Sequence, residues 1–152
     1  MIHKVYDFYS DSDTEVVLNA FAEWGSDCVQ KFIGMFAFTI LDRKQEIVSI
    51  FRDRAGVKPL YYYHPHEIFC FGSELKSLMA NPAFKREISM EGLSLFLKHG
   101  YIASPHTIFK NTKKLERGCY LTIDLKTLST KNKIYWDVIN YYNLPKSDVS
   151  ES

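Results

Sequence analysis

Thiols are the side chains in this sequence with the most direct chemical potential, and their spacing argues against a reactive cluster. Cys28, Cys70 and Cys119 stand far apart, with no Cys-x-x-Cys pair among them. An odd number of widely separated cysteines favours reduced thiols over a disulfide framework. A free cysteine usually behaves as a small buried hydrophobe. We therefore predict three reduced, structural cysteines.

Histidines could provide a metal site. His64 and His66 flank Pro65, and either could pair with His99 or His106. No cysteine or carboxylate stands at ligand spacing from them, and histidines in a hairpin turn usually face solvent. The sequence therefore predicts no metal site.

Three other polar groups allow a chemical and a structural interpretation. Ser73 and Glu74 could be a nucleophile and a base, but no partner His or Gly-x-Ser-x-Gly motif accompanies them, so helix capping is the better interpretation. The charges of residues 52–54 could be catalytic, but we expect Asp53 to pair with a neighbouring Arg and to fix the end of a strand. The tyrosines at 61–63 could stack on bases or sugars. Alternation along a strand turns at least one of them inward, which favours packing within a sheet.

The first element that must position such groups is a helix beginning at Ser12. This serine can cap the helix while Glu15 reaches back to it, which is a capping box. Gly25 is a C-terminal stop signal, and a shorter helical turn follows around residues 26–31. Between these signals lies an apolar stripe of helical period, made of Val16, Val17, Ala20, Phe21 and Trp24.

A sheet follows the helix. Four strand-like segments between residues 36 and 72 predict a meander of four strands in one antiparallel sheet. The segment from Arg52 to Tyr63 supplies a turn and the third strand, so it should join strands in the middle of that sheet.

Two further helices and a hairpin complete the predicted elements. One helix begins at Ser73, and another runs from Ser89 to Lys98. The face of the second helix predicted to point inward carries Leu93, Phe96 and Leu97. The hairpin pairs residues 119–123 with residues 133–136, and a short strand is possible within the first ten residues.

Composition excludes several functional classes. The chain has 152 residues, 46% of them hydrophobic, which is enough for one folded domain. Its formal net charge of +1 gives no reason to expect a nucleic acid or an anionic membrane as partner. No long apolar run or apolar leader segment occurs, so we expect a soluble, cytoplasmic protein.

Several segments of this chain together resemble the class II glutamine amidotransferase domain of glutamine-hydrolysing asparagine synthetases, in particular its C-terminal half. The likeness covers roughly residues 4–136. The matching segments are Ser12 to Val16 (S-D-x-E-V), Phe32 to Phe38 (F-x-G-M-F-A-F), Arg52 to Tyr63 (R-D-R-x-G-x-K-P-L-Y-Y), Phe71 to Leu78 (F-x-S-E-L-K-x-L), and the closing stretches Tyr101 to Phe109 and Lys114 to Gly118.

This resemblance implies an α+β fold, namely part of an N-terminal-nucleophile-type α-β-β-α sandwich. We expect an antiparallel sheet with helices on one face and a bare second face, since the partner sheet would be largely missing. Residues 1–137 would form the C-terminal half of the amidotransferase domain, and residues 138–152 a polar tail or linker. The bare face would drive self-association, strand swapping or binding of an N-terminal half-domain.

The resemblance also implies a chemistry. In this family an N-terminal cysteine attacks the glutamine amide with its own α-amine as base, and an Asn-Gly pair supplies oxyanion donors. Here residue 1 is Met, Ile2 would follow its removal, and no Asn-Gly dipeptide occurs. We therefore assign no catalytic residue and expect the chain alone to be inactive. By resemblance, Asp13 binds the α-amino group of glutamine.

The leading functional hypothesis is a segment of an asparagine synthetase-like amidotransferase, which hydrolyses glutamine and feeds ammonia to ATP-dependent asparagine formation from aspartate. ATP and magnesium are expected only in the synthetase domain, which would lie beyond Ser152, and no cofactor is expected in this chain. The alternative is a stand-alone, non-catalytic binding or assembly module. A third possibility is a stable fragment with no function of its own.

Overall fold

The computed structural model describes residues 8–143, and the chain divides into two compact units, with the boundary in the sequence after Ile33. The first unit is helical in its described part. Helix α1 spans Asp13–Trp24 and a 3-10 helix spans Gly25–Lys31. Helix α1 has Ser12 as its N-cap and Gly25 as its C-cap, as predicted, and Gly25 has a φ of 56°. The strand predicted in the first ten residues falls mainly on residues 1–7, outside the described residues.

The second unit, as far as it is described, contains seven strands and three helices. In chain order these are β1 Ala37–Asp42, β2 Ile47–Arg52, β3 Tyr61–Tyr63, β4 Cys70–Gly72, α2 Leu75–Met79, α3 Met90–His99, β5 Thr112–Lys114, β6 Cys119–Asp124, β7 Thr130–Ile134 and α4 Val138–Tyr142.

The strands form two antiparallel sheets, so the prediction of one meander sheet is wrong. The first sheet has the order β1-β2-β6-β7 and the second the order β4-β3-β5. The predicted hairpins are present, but β2 pairs with β6 and not with β3. The guanidinium of Arg52, at the end of β2, donates to the backbone carbonyls of Gly56 and Lys58, and these bonds hold the connection as a turn. The segment from Arg52 to Tyr63 therefore connects two sheets.

The second sheet packs on the first through one face of β3. A buried cluster in the first sheet, centred on Ile50, Leu121 and Ile123, has Tyr62 and Phe69 packed against it. The opposite face of β3 carries Tyr61 and Tyr63, which belong to a second cluster with Leu75, Leu78 and Met79 of α2. The layers within this unit are therefore sheet, sheet and helix, and the predicted α+β class with antiparallel sheets is confirmed.

The expectation of a bare sheet face is not met. Ile50 and Phe51 are neighbours on β2 whose side chains point to opposite faces, and both are buried. On the face of Phe51, aromatic rings run across three strands, with Phe38 and Tyr120 centred 4.8 and 5.2 Å from it. The face that carries Ile50 is covered by the second sheet, through Tyr62 of β3.

Helix α3 has the predicted ends but not the predicted inward face. Ser89 caps it by accepting a hydrogen bond from the Gly92 amide at 3.2 Å, and Gly100 ends it in the left-handed conformation. Phe96 and Leu97, however, are 48% and 75% exposed. The helix instead turns Gly92 inward, where a Cβ would lie 2.1 Å from the Thr107 carbonyl oxygen. Only a glycine allows this close contact, and it rotates the leucine face outward.

Three smaller predictions are corrected or remain open. Helix α2 begins after Glu74 and has no side-chain cap, so capping by Ser73 is wrong. Strand β7 ends at Ile134 and begins earlier than predicted. The proposed tail starts with the short helix α4, and its remaining residues 144–152 lie outside the described part. None of the helices in the described residues is long and apolar enough to span a membrane.

Candidate functional site

The start of α1 is held by a local network of hydrogen bonds. The Ser12 hydroxyl accepts from the Thr14 amide at 3.2 Å. The Glu15 carboxylate accepts from the backbone amides of Tyr9 and Ser10 at 2.9 and 2.8 Å, and from the Ser10 hydroxyl at 2.6 Å. The predicted capping box is therefore displaced, since Glu15 reaches past Ser12 to residues 9 and 10. These bonds lower the pKa of Glu15, and the bond from the Ser10 hydroxyl has the largest effect.

Asp13, the residue that the resemblance assigns to substrate, is the first residue of α1 and is exposed. Its carboxylate makes no hydrogen bond or ion pair within the part of the chain that the structure describes, in contrast to Glu15 two residues on. A carboxylate accepts hydrogen bonds only, and the positive end of the helix dipole favours its negative charge. Among residues 8–143, no group occupies either of its oxygens, and the helix dipole suits them to accept from a cation such as an ammonium group.

The three thiols are free, as predicted, and their surroundings do not favour a nucleophile. Cys28 and Cys119 are buried. Burial raises the pKa of Cys28, assisted by the charge of Asp27, and burial raises the pKa of Cys119 to about 11. Cys70 is half-buried in β4, and its sulfur accepts a hydrogen bond from the side-chain amide of Asn81 at 3.1 Å. Because the thiolate is the reactive form, the two buried thiols are inert at neutral pH.

The turn after β2 is the most tightly bonded feature of the second unit. Asp53 is fully buried, and its two carboxylate oxygens each accept a backbone amide at 3.0 Å, from Val57 and from Lys58. Burial alone would raise the pKa of Asp53, but the hydrogen bonds from Lys58 and Val57 outweigh it and hold the pKa below its usual range. The carboxylate therefore bonds to backbone amides and not to the predicted Arg partner, whereas its role in fixing the strand end is confirmed.

Arg52 ties this turn to a distant part of the chain. Its guanidinium is buried and donates to the carbonyls of Gly56, Lys58 and Leu115, with Nε 2.8 Å from the Lys58 oxygen. Its own carbonyl accepts from the Tyr135 hydroxyl at 2.8 Å, and burial raises the pKa of that tyrosine. All of these partners lie within the second unit. Arg52 and Asp53 therefore hold distant parts of the second unit together.

Gly118 closes the same region by a close backbone contact. Its amide donates to the Asp53 carbonyl at 3.0 Å, and its carbonyl accepts from the amides of Tyr135 and Trp136. Its φ is +62°, and a Cβ at this position would lie 2.2 Å from the Trp136 carbonyl oxygen. Both the backbone angle and the space require glycine here.

The remaining candidates from the sequence are structural. His64 bonds through Nδ1 to the Ile68 carbonyl at 3.0 Å, and no group of three His, Cys, Asp or Glu residues in the described chain could hold a metal ion. Tyr63 is fully buried, and its hydroxyl accepts from the Lys85 amide at 3.2 Å. Packing, and not stacking on a ligand, is thus confirmed for this tyrosine.

Sequence reasoning missed the contacts that depend on distant partners. The bonds from Arg52 to Leu115 and from Tyr135 to Arg52 join residues 63 and 83 positions apart. The density of charge in residues 52–54 could have indicated such contacts, because a buried ionic group is stable only when other groups bond to it. The identity of those partners follows only from the fold.

Comparison with known proteins matches residues 1–136 to a family model described as a glutamine amidotransferase domain. A Methanocaldococcus jannaschii protein named as a putative glutamine-hydrolysing asparagine synthetase 2 is 41% identical over 132 residues, covering 86% of this chain and 26% of that protein.

Two Bacillus subtilis proteins give similar matches. Asparagine synthetase (glutamine-hydrolysing) 3 is 38% identical over 134 residues, which is 88% of this chain and 22% of that protein. Asparagine synthetase (glutamine-hydrolysing) 2 is 37% identical over 136 residues, which is 86% of this chain and 18% of that protein. The chain therefore spans about a quarter or less of the length of these curated relatives.

Proposed function

This chain belongs to the glutamine amidotransferase domain family, and from that premise we propose that it is the glutamine-handling segment of an asparagine synthetase-like amidotransferase. The parent reaction is glutamine hydrolysis that supplies ammonia to ATP-dependent formation of asparagine from aspartate. The observation that carries this proposal is the match over residues 1–136, together with the printed names of relatives at 37–41% identity.

Within this function, Asp13 binds the α-amino group of glutamine. Support comes from its exposed position at the first turn of α1, where its carboxylate has no competing partner in the described residues. The neighbouring network of Glu15 fixes the loop on one side of it. By itself, one exposed carboxylate contributes about 1 kcal/mol or less to binding an ammonium group, so we expect no micromolar glutamine affinity from the chain alone.

The catalytic thiol is supplied by another segment. The buried state of Cys28 and Cys119, and the absence of an Asn-Gly dipeptide from the 152 residues, support this part of the proposal. A polypeptide of these residues alone is therefore expected to release no ammonia from glutamine. An N-terminal half-domain carrying a terminal cysteine is the partner that would complete the site, with residues 1–137 as the complementary half and residues 138–152 as a linker.

Reconstitution tests the proposal most directly. The chain is mixed with a separately produced N-terminal half of a related amidotransferase, and ammonia release from glutamine is measured. We expect activity only in the mixture. If the chain alone hydrolyses glutamine, or if the mixture stays inactive while both parts are folded and bound to each other, the proposal is wrong.

The assignment of Asp13 has its own test in the active mixture. Replacing Asp13 with Asn removes a charge-assisted hydrogen bond, and the loss of about 1 kcal/mol predicts a KM for glutamine about fivefold higher. Asp11→Asn is the matched control, since Asp11 is an exposed acid two residues before Asp13. Equal KM values for the two variants would refute the role of Asp13.

The second candidate function is a non-catalytic binding or assembly module on the same scaffold. The exposed apolar residues of α3 favour it, because such a surface serves association better than catalysis. Binding to an N-terminal half without any gain of glutaminase activity would support this candidate over the first.

A further inference from the structure

Helix α3 presents an apolar surface to solvent. Met90 and Leu97 are 71% and 75% exposed, which is far from the burial expected of such side chains. Together with Leu93, Ser94 and Lys98 they line an open groove of about 420 Å³. Contiguous exposed apolar residues on a helix typically mark a site of association.

The helix that carries this surface is firmly anchored on its other side. Gly92 approaches the Thr107 carbonyl so closely that no larger residue fits. The Ser89 amide donates to the Ile108 carbonyl at 2.8 Å, and the Ser89 hydroxyl caps the helix. The outward orientation of Met90 and Leu97 is therefore built into the packing of α3.

The spacing of this surface suits another helix of the same kind. Met90 and Leu97 are seven residues apart and lie on one line along the helix, with the small Ser94 between them. We propose that α3 packs antiparallel against α3 of a second copy of this chain, about a two-fold axis that passes close to Ser94. A small residue at that point lets the two helices approach closely, and Met90 of each copy then covers Leu97 of the other.

Charge complementarity points to a second copy as the occupant. Glu91 and Lys98 are also seven residues apart, and both lie on the same flank of the apolar line. Two-fold symmetry brings this flank of each helix against the same flank of its partner in the opposite direction. Glu91 of each copy therefore meets Lys98 of the other, and the dimer contains two such ion pairs.

The charged groups remain available for this contact. Glu91 Oε2 lies 3.3 Å from His106 Nδ1, yet the Glu91 side chain is still 69% exposed. Lys98 is exposed at the end of the helix, where a positive charge also suits the helix dipole. The contact area of one ten-residue helix is small, so the dimer should be weak and concentration-dependent.

Sedimentation equilibrium of the 152-residue chain tests this arrangement. We expect a monomer at low concentration and a dimer at high concentration. Leu97→Asp places a charge in the contact and should abolish the dimer without unfolding the chain, because Leu97 is largely exposed. Ile139→Asp is the control, since Ile139 is 64% exposed but lies on α4. A chain that stays monomeric up to about 1 mM, the usual limit of weak specific association, would overturn the proposal.

Charge exchange distinguishes this dimer from any other apolar contact. Glu91→Lys and Lys98→Glu should each weaken self-association by about tenfold or more, because each creates two like-charge contacts. Mixing the two variants should restore association, and the double exchange in one chain should behave like the original protein. Lys131→Glu on β7 controls for net charge. The proposed packing is wrong if Lys131→Glu weakens self-association as much as Lys98→Glu does. It is also wrong if mixing Glu91→Lys with Lys98→Glu does not restore association.

A covalent probe locates the axis. Ser94→Cys should form a disulfide between two copies under mild oxidation, since the two residues face each other across the axis. Ser129→Cys is an exposed control in the loop before β7 and should remain largely unlinked. If the Ser94→Cys variant sediments as a dimer but forms no crosslink through its new thiol, the interface lies elsewhere. None of these measurements involves glutamine, so their outcome is separate from that of the proposed function.

Discussion

The start of α1 and the turn after β2 use the same hydrogen-bond pattern in opposite surroundings. At each, an acidic side chain accepts two backbone amides, Tyr9 and Ser10 for Glu15 and Val57 and Lys58 for Asp53. Glu15 lies near the surface and, among the described residues, bonds to its own loop, whereas Asp53 is fully buried. The same pattern therefore has a local effect at one place and holds the domain together at the other.

This difference separates an acid of the scaffold from the acid of the proposed binding site. Each side-chain nitrogen of the Arg52 guanidinium and each carboxylate oxygen of Asp53 bonds to a backbone group. Beside Glu15, by contrast, Asp13 has an exposed carboxylate and no partner within the described residues. A dense charged motif in a sequence thus does not locate the substrate site, and the less conspicuous acid is the better candidate.

The largest expected effect comes from removing the buried acid. Asp53→Ala leaves the amides of Val57 and Lys58 unsatisfied and removes the negative charge beside the buried Arg52. We expect a loss of about 3–5 kcal/mol in the free energy of unfolding, measured by urea denaturation.

The matched control for this variant is Asp124→Ala. Asp124 also accepts two backbone amides, from Lys126 and Thr127 at 2.9 Å, but these bonds lie at the surface. We expect a much smaller effect there. Similar losses in the two variants would mean that burial does not separate the two kinds of carboxylate.

The next effect concerns the backbone that closes the buried turn. Gly118→Ala forces a methyl group toward the Trp136 carbonyl and adds strain at a positive φ, so we expect a loss of about 2–4 kcal/mol. Gly25→Ala has a similar φ of +56° with nothing within 4 Å, and should lose only about 1 kcal/mol. Thermal unfolding of both variants gives the comparison. Equal losses would show that strain alone, and not the close contact, makes glycine necessary at position 118.

A third effect depends on pH. The pKa of Cys119 is raised by burial from 9.0 to about 11, so the folded protein keeps this proton where the unfolded chain loses it. This contribution to stability is complete below about pH 9 and is lost as pH rises through 11. The loss is roughly 2 kcal/mol. Between about pH 8 and pH 10.5, the free energy of unfolding should therefore fall less for Cys119→Ala than for the original protein. Urea denaturation under reducing conditions measures this fall. If Cys70→Ala, which removes a half-buried thiol, flattens the profile equally, the interpretation fails.

The smallest effect on stability is expected at the proposed site itself. Asp13→Asn removes only a favourable interaction with the helix dipole, so the free energy of unfolding should fall by less than about 1 kcal/mol. A loss of several kcal/mol would identify Asp13 as a scaffold residue like Asp53. The contrast between the two acids would then disappear.

The sequence predicted elements with local signals. Helix ends at Ser12, Gly25, Ser89 and Gly100 were correct because capping depends on residues within one turn. The hairpin pairings were also correct. The family resemblance rested on motif order and identified the chain without any knowledge of its packing.

The errors concern contacts between distant residues. The sequence did not show that β2 pairs with β6, because strand periodicity specifies a face but not a partner. It did not show that Gly92 faces Thr107, so the apolar residues of α3 were predicted to be buried. The role of Asp13 was predicted by resemblance and stays a prediction, since nothing in its local pattern distinguishes a ligand-binding acid from a favourable first-turn acid.

Strand β3 has only three residues, yet its side chains belong to two buried clusters of the described part of the second unit. Tyr62 packs on the cluster of the first sheet, while Tyr61 and Tyr63 pack with α2 on the other side. Neither cluster can open without disturbing this strand and its pairing to β4 and β5. The two clusters should therefore melt in one cooperative transition, and amide exchange in both should report the same opening free energy.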